Sequence, residues 1–163
     1  MGKKSIRENK NVYQLARESC DYTRQKASEL MVYISDDRIE KIESEKSLPH
    51  PDEILAMAEC YKAPELCNYF CSTECPIGQK NVAPVKLQDL SQIVLETLAS
   101  LNSLNKERER LIEITADGKI SSEELDDFMN IKKQLERISQ SVESLKLWVE
   151  KTIADGNLGT KEN

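Results

Sequence analysis

Apolar residues recur at helical spacing along most of the chain, and the length of the repeating segments changes near residue 76. Before that point the segments are short and are interrupted about every 10–12 residues by turn-forming residues. After Pro84 two long, uninterrupted helical repeats follow. The pattern predicts an all-α fold in which a five-helix N-terminal domain is followed by a long antiparallel helical hairpin.

Five short helices are predicted in the first part of the chain. Thr23 and Ser35 stand where N-caps belong, and Pro51 occupies a favoured first-turn position. The predicted helices run from Val12 to Ser19, from Thr23 to Met31, from Asp36 to Ser44, from Pro51 onward and from near Pro64 onward. The side chains expected in the core are Ala27, Leu30, Met31, Ile39, Ile42, Ile54, Leu55, Met57, Ala58, Tyr61, Leu66, Tyr69 and Phe70.

Two long amphipathic helices are predicted in the second part, from about residue 86 to 113 and from about Ser122 to Ala154. The short turn Ala116–Ile120 between them predicts that they fold back as an antiparallel hairpin, and Gly156 is expected to end the second helix. Apolar residues seven apart define the predicted seam, namely Leu87, Val94 and Leu101 on the first helix and Phe128, Leu135, Val142 and Val149 on the second. The residues predicted to flank this seam are Leu90, Leu104 and Leu111 on the first helix and Leu125, Ile131, Ile138 and Leu145 on the second.

The hairpin carries more apolar residues than one partner helix would cover. Those outside the predicted seam are Ile93, Leu95, Leu98, Ile112, Met129, Leu147 and Trp148. We therefore expect hairpins from two subunits to complete a four-helix bundle, which makes the protein a homodimer. The alternative is that this face packs on the N-terminal domain of the same chain.

Length, charge and composition bound the domain organisation and the class of protein. The 163 residues are interpreted as a domain over residues 1–77, a linker over 78–86 and the hairpin over 87–163. A net charge of −6 argues against an extensive surface for polyanions, so any nucleic-acid contact must be local. The sequence has neither an apolar stretch of about 18 residues nor the apolar core of a signal peptide, which predicts a cytoplasmic protein without membrane contact.

The inventory of reactive side chains gives little support for catalysis. His50 is the only histidine and lies between two prolines, and no Cys/His or Ser/His pair occurs at a plausible spacing. An enzyme is therefore not expected.

All five cysteines lie in the first half of the chain. Cys67, Cys71 and Cys75 are spaced by four and Cys60 comes seven residues earlier, so on a continuing helix the thiols would share one face. Four thiolates are candidate ligands for zinc or for an iron–sulfur cluster. The competing interpretation, which the spacing favours, is that they are small apolar groups in or near the core.

The segment from Glu113 to Glu124 resembles the second half of an EF-hand calcium loop. Gly118, Ile120 and Glu124 occupy the positions of the turn glycine, the central apolar residue and the bidentate acid. The same residues are explained by a glycine turn followed by a capping box of Ser121 and Glu124 at the start of the second long helix. The capping interpretation is preferred, and no calcium is expected.

The segment from about residue 10 to 70 resembles the XRE family of helix-turn-helix DNA-binding domains, the lambda-repressor and Cro type. The features that carry the resemblance are Arg17, Thr23 with Ala27, Ser35, Ile39, the pair Ile42-Glu43, and Pro49 before the helix PDEILAMAECY. The resemblance implies that the third helix enters the major groove of double-stranded DNA while residues at helix starts contact phosphates. The DNA-binding residues it implies are Thr23, Arg24, Ser35, Asp36, Asp37, Arg38, Lys41 and Lys46.

The leading hypothesis from the sequence is a dimeric transcription regulator of bacterial or phage type, with the hairpin as the dimerisation or partner-binding element. The charge of residues 36–70 opposes DNA binding, because nine acidic side chains against four basic ones repel phosphates. The alternative is a protein-interaction adaptor whose helix-turn-helix domain no longer binds DNA.

Overall fold

The computed structural model describes residues 9–157, and all regular secondary structure in that range is helical. This confirms the predicted all-α fold. The chain divides into two compact units. Within the described range, the N-terminal unit holds residues 9–84 together with residues 150–157, and the hairpin unit is Val85–Val149. None of the helices in the described range combines the length and apolar character that a membrane span requires.

The N-terminal unit begins with five short helices whose starts agree closely with the sequence pattern. Asn11, Thr23 and Ser35 each cap a helix, because their side-chain oxygens accept hydrogen bonds from backbone N–H groups of the first turn. The helices are Val12–Ser19 (α1), Arg24–Met31 (α2), Asp36–Glu43 (α3), Pro51–Cys60 (α4) and Glu65–Tyr69 (α5).

One continuous core holds these helices together. Its buried side chains are Tyr13, Ala27, Met31, Ile34, Ile39, Ile42, Ile54, Met57, Ala58, Tyr61, Ala63 and Leu66. Tyr69 and Phe70 pack against this cluster while remaining half-buried. Two predicted core residues are wrong, because Leu30 and Leu55 are 46% and 63% exposed. Each lies one residue from a buried neighbour, which rotates it about 100° around the helix and away from the core.

The turn between α2 and α3 has an unusual backbone at Val32. Val32 has φ +64° and ψ −47°, and the Tyr33 N–H donates to the Met31 carbonyl at 2.7 Å, which closes a three-residue γ-turn. A β-branched residue is disfavoured at positive φ, and this kind of γ-turn is strained. The strain is not relieved by burial, since Val32 is 87% exposed.

Replacing Val32 with glycine should therefore stabilise the N-terminal unit by about 1 kcal/mol, because glycine adopts this conformation without steric cost. The free energy of unfolding from urea denaturation measures the effect. The matched substitution Leu30→Gly, in the α-helical backbone of α2, should destabilise by a similar amount. A loss of stability in Val32→Gly would contradict the strain argument.

After α5 the chain makes a π-helical turn, Phe70–Glu74, and then a short helix, Gly78–Asn81 (α6). The two segments pack closely at Gly78. A β-carbon added to Gly78 would lie 2.0 Å from the carbonyl oxygen of Cys71, so only glycine allows this approach. The residues from Val82 to Asp89 that follow have no regular structure.

Two long helices, Leu90–Thr115 (α7) and Leu125–Ala154 (α8), form the predicted antiparallel hairpin. Gly118, at φ +70°, supplies the positive φ that the connection needs, and Gly156, at φ +74°, ends α8. The Arg110 Nε atom donates to the Asp127 carboxylate at 2.7 Å, which fixes how the two helices pair near the turn.

The seam between α7 and α8 differs from the predicted one. Its fully buried residues are Ile93, Ile114, Ile131, Ser141, Ser144 and Leu147. Ile131, predicted beside the seam, is buried. Ile93 and Leu147 are buried although the sequence pattern predicts them outside the seam, and the predicted seam residues Leu87, Val94, Leu101, Leu135 and Val142 are each more than 40% exposed. The predicted seam rests on a seven-residue repeat, whereas the buried residues of α8 are spaced by ten, three and three residues, so the repeat did not identify the buried side.

Candidate nucleic-acid interface

Helix α3 is fixed to the N-terminal unit at both ends by ion pairs. At its carboxyl end, Glu43 is fully buried and receives the guanidinium of Arg17, with Nε–Oε1 at 2.6 Å and Nη2–Oε2 at 3.1 Å. Arg24 of α2 adds a third bond to the same carboxylate at 2.8 Å. Burial alone would lower the pKa of Arg17, but the hydrogen bonds and charge of Glu43 raise it, so Arg17 keeps its charge.

The amino end of α3 is held by Arg38. Its guanidinium binds both carboxylate oxygens of Glu53, on α4, at 2.6 Å. It also donates to the Ser47 hydroxyl at 2.7 Å and to the Leu48 carbonyl at 3.0 Å. These four bonds hold the guanidinium within the fold, and base reading by Arg38 stays a prediction. Arg38 positions α3 against α4.

Glu53 gives this pair a pH dependence. Hydrogen bonds from Arg38 lower the pKa of the Glu53 carboxyl, and the backbone N–H of His50 contributes in the same direction. A carboxyl whose folded pKa lies below its unfolded value of about 4.3 stabilises the fold above that value. The stabilisation is lost as the pH falls through the folded pKa.

The free energy of unfolding of Glu53→Gln should therefore fall less steeply than that of the unmodified chain between about pH 5 and pH 3. Urea denaturation across that range measures it. Asp52→Asn, an exposed neighbour, serves as the control and should leave the steeper slope in place. Parallel curves for the Glu53 variant and the unmodified chain would contradict the assignment.

The remaining predicted DNA-binding residues divide into caps and outward-facing side chains. Thr23 and Ser35 accept from the backbone N–H groups of Lys26 and Arg38, at 3.1 Å and 3.2 Å, so both act as caps. Arg24 donates one hydrogen bond to the Glu43 carboxylate, as described above. The outward-facing residues are Asp36, Asp37 and Lys41, all exposed, and Lys46, which pairs with Glu40 at 2.9 Å. Lys41 makes no side-chain ion pair with any residue from 9 to 157.

Sequence reasoning did not assign a structural role to Glu43, Glu53 or Asn11. Asn11 caps α1 and also donates from Nδ2 to the Ile42 carbonyl at 2.9 Å, which ties α1 to the end of α3. A glutamate in a predicted helix is ordinarily expected to face solvent. The available signal was the spacing of Glu43 four residues after the apolar Ile39, which places both side chains on the same face of the helix.

A groove lined by both apolar and polar surface lies between α2 and α4. Its volume is about 500 Å³, and the exposed side chains of Leu30, Tyr33 and Leu55 border it. The Tyr33 hydroxyl donates to the Asp52 carbonyl at 3.0 Å, which holds that ring at the edge of the groove. The lining residues are Tyr22, Leu30, Met31, Tyr33, Leu55, Ala56, Glu59 and Cys60. Sequence reasoning missed this groove because it assigned Leu30 and Leu55 to the core.

The four candidate metal-ligating cysteines do not form a site. Within residues 9–157 no group of three or more His, Cys, Asp or Glu side chains is placed to hold a metal ion. The prediction assumed a continuing α-helix through Cys67, Cys71 and Cys75, but the π-helical turn changes the spacing and Cys75 has an extended backbone. Cys60 instead lies near Cys20, and burial raises the pKa of the Cys60 and Cys67 thiols, which disfavours the thiolates that metals bind.

The segment resembling a calcium loop is a capped turn. Asp117 accepts from the Lys119 N–H at 2.9 Å, and the Glu124 carboxylate accepts from the Ser121 N–H at 2.9 Å and from its hydroxyl at 2.7 Å. These acidic side chains therefore bind the turn itself. Only half of the predicted capping box forms, because the Ser121 hydroxyl donates to the Glu124 carboxylate while the Glu124 N–H donates to the Ser121 carbonyl, and α8 begins at Leu125.

Comparisons with known proteins add no assignment to this geometry. A scan against protein-family models, a search of curated proteins and a search of solved structures each gave no match. The function therefore has to be argued from the residues themselves.

Proposed function

We propose that the chain is a sequence-specific DNA-binding regulator that contacts double-stranded DNA through α2 and α3. The observation that carries the proposal is the double anchoring of α3. Arg38–Glu53 holds its start and Arg17–Glu43 holds its end, while the side chains of Asp37 and Lys41 remain exposed. A rigid helix that presents outward polar side chains suits base readout, because its geometry is set before binding.

The side chains on the exposed face of α3 favour sequence-specific contacts with bases over non-specific affinity for DNA. Asp36 and Asp37 can accept from cytosine amino groups, and Lys41 can donate to guanine or to a phosphate. The start of α2 has no acidic residue in its first turn, and Lys26 there is more than half exposed. We therefore propose that α2 contacts the phosphate backbone and α3 the base edges. Few phosphate contacts imply a modest salt dependence, with a slope of log K against log salt of about −3 per chain.

The test is binding to fragments of mixed genomic DNA across a salt series, with Lys41→Ala compared with Lys62→Ala. Both lysines are exposed, but Lys62 lies beyond the end of α4. We expect selected fragments to be released as salt rises, and Lys41→Ala to weaken binding about 10-fold or more while Lys62→Ala does not. Absence of binding at low salt, or equal effects of the two variants, would refute the proposal.

A protein-interaction adaptor is the second candidate, and the groove between α2 and α4 favours it. Exposed Leu30, Tyr33 and Leu55 at the edge of a groove are typical of a surface that receives a helix or loop of another protein. The acidic face of α3 adds repulsion toward phosphates. A chain that ignores DNA even at low salt would shift the assignment to this function.

A further inference from the structure

Charge is distributed very unevenly along the hairpin unit. Residues 106–137, which surround the turn, hold 16 charged side chains among 32 residues. Residues 90–105 of α7 and 138–149 of α8 together hold only Glu96, Glu143 and Lys146. Because α7 and α8 are antiparallel and pair near the turn through Arg110 and Asp127, these two stretches lie side by side at the other end of the hairpin. We call them the neutral half.

The neutral half exposes large apolar side chains on both helices. Seven of them are between 39% and 67% exposed: Leu90, Val94, Leu95, Leu98, Leu101, Val142 and Leu145. The seam within the hairpin is meanwhile filled in part by small side chains, including Ser141 and Ser144. Water-exposed helices normally balance such residues with charges, so this pattern is typical of a surface that is covered in the working molecule.

We propose that the neutral half binds the neutral half of a second copy of this chain, so that the two hairpins form a four-helix bundle at this end only. A second copy fits because it brings no charge that the apolar face would leave unpaired, which a charged partner would do at a desolvation cost. The width of the face also fits a second copy. Exposed apolar side chains lie on both α7 and α8, and the two helices of another hairpin cover a face of that width.

The size of the face agrees with this occupant. Seven side chains that each bury on the order of 70 Å² contribute about 500 Å² per copy, and their polar neighbours add to that figure. The total approaches the roughly 800 Å² per partner of a stable interface. The charged half near the turn remains in water. The inference does not depend on DNA binding, because every residue that carries it lies in the hairpin unit.

Light scattering coupled to gel filtration, on a dilution series of the full chain, tests the proposal. We expect a dimer that dissociates on dilution with a change in the fluorescence of Trp148, the only tryptophan. The Leu98→Glu/Val142→Glu variant should raise the dissociation constant on the order of 100-fold or more, because it places charges in the apolar contact. The matched control is Ile112→Glu, which changes an apolar side chain that is 61% exposed in the charged half.

Circular dichroism shows whether each variant keeps its helices. If the Leu98→Glu/Val142→Glu variant loses its helices, Leu98→Ala/Val142→Ala takes its place. Alanine favours helices, and this pair should give a smaller rise in the dissociation constant. A monomeric unmodified chain overturns the proposal. The proposal is also overturned if neither the glutamate pair nor the alanine pair at Leu98 and Val142 raises the dissociation constant. It is overturned as well if Ile112→Glu raises the dissociation constant as much as those pairs do. DNA binding by the same samples is scored separately, so failure of one proposal is distinguishable from failure of the other.

Discussion

The Glu43→Ala variant should lose about 3–5 kcal/mol of stability in the N-terminal unit, because removing one partner of a buried ion pair leaves the other charge uncompensated. Arg17 would keep its charge in a site where its side chain is 6% exposed. Arg24 would also lose its bond, although its partly exposed side chain can be rehydrated. Urea denaturation followed by circular dichroism measures the loss.

Two further variants make this expectation specific. Glu29→Ala removes an exposed glutamate from α2 and should change the free energy of unfolding by no more than about 0.5 kcal/mol. Replacing both buried partners, Arg17→Met with Glu43→Leu, should recover much of the lost stability, because no buried charge remains. A Glu43→Ala variant as stable as Glu29→Ala would show that the pair does not anchor α3.

The second large effect is expected at Gly78. Its substitution by alanine should destabilise the N-terminal unit by about 1–3 kcal/mol, because the new methyl group would lie 2.0 Å from the backbone oxygen of Cys71. Backbone cannot give way as a side-chain tip does, so α6 has to move off the π-helical turn. Hydrogen exchange of the amides from residue 70 to 82 should accelerate in this variant.

Lys80→Ala is the matched change in the same short helix. Lys80 is exposed, and its removal leaves the approach of the two backbones intact. We expect unchanged exchange rates for that variant. Equal protection in Gly78→Ala and Lys80→Ala would mean that the close contact is not needed.

The helices of the N-terminal unit were predictable because each is marked locally. Thr23 and Ser35 satisfy backbone N–H groups where the sequence places them, and Pro51 begins α4 as expected. The sequence predicts where each helix lies, but not which side of the helix is buried. Leu30 and Leu55 are as apolar as their buried neighbours, and the direction in which each helix packs is set by tertiary contacts that local periodicity does not contain.

The candidate site was harder to predict, because the same residue types serve as ligand-binding groups and as internal supports. Arg38 stands on a helix where a base-reading residue is plausible, and its pairing with Glu53 depends on how α4 returns toward α3. The cysteines show the same difficulty, since a π-helical turn has no simple sequence mark and alters their spacing. The buried side of the hairpin was not predictable for a different reason: apolar residues lie on several faces of α7 and α8, and the buried side includes the serines Ser141 and Ser144.

The division of the chain has a topological consequence. The chain enters the hairpin unit at Val85 and leaves it at Val149, within the continuous helix α8. Lys151 then donates from Nζ to the carbonyl of Lys62 at 2.8 Å, back in the N-terminal unit. The hairpin is thus an insertion into the N-terminal unit, since that unit uses both sequence-distant segments. A protease that cuts once between Val82 and Asp89 would yield a nicked protein whose two fragments stay associated on gel filtration until denaturant separates them.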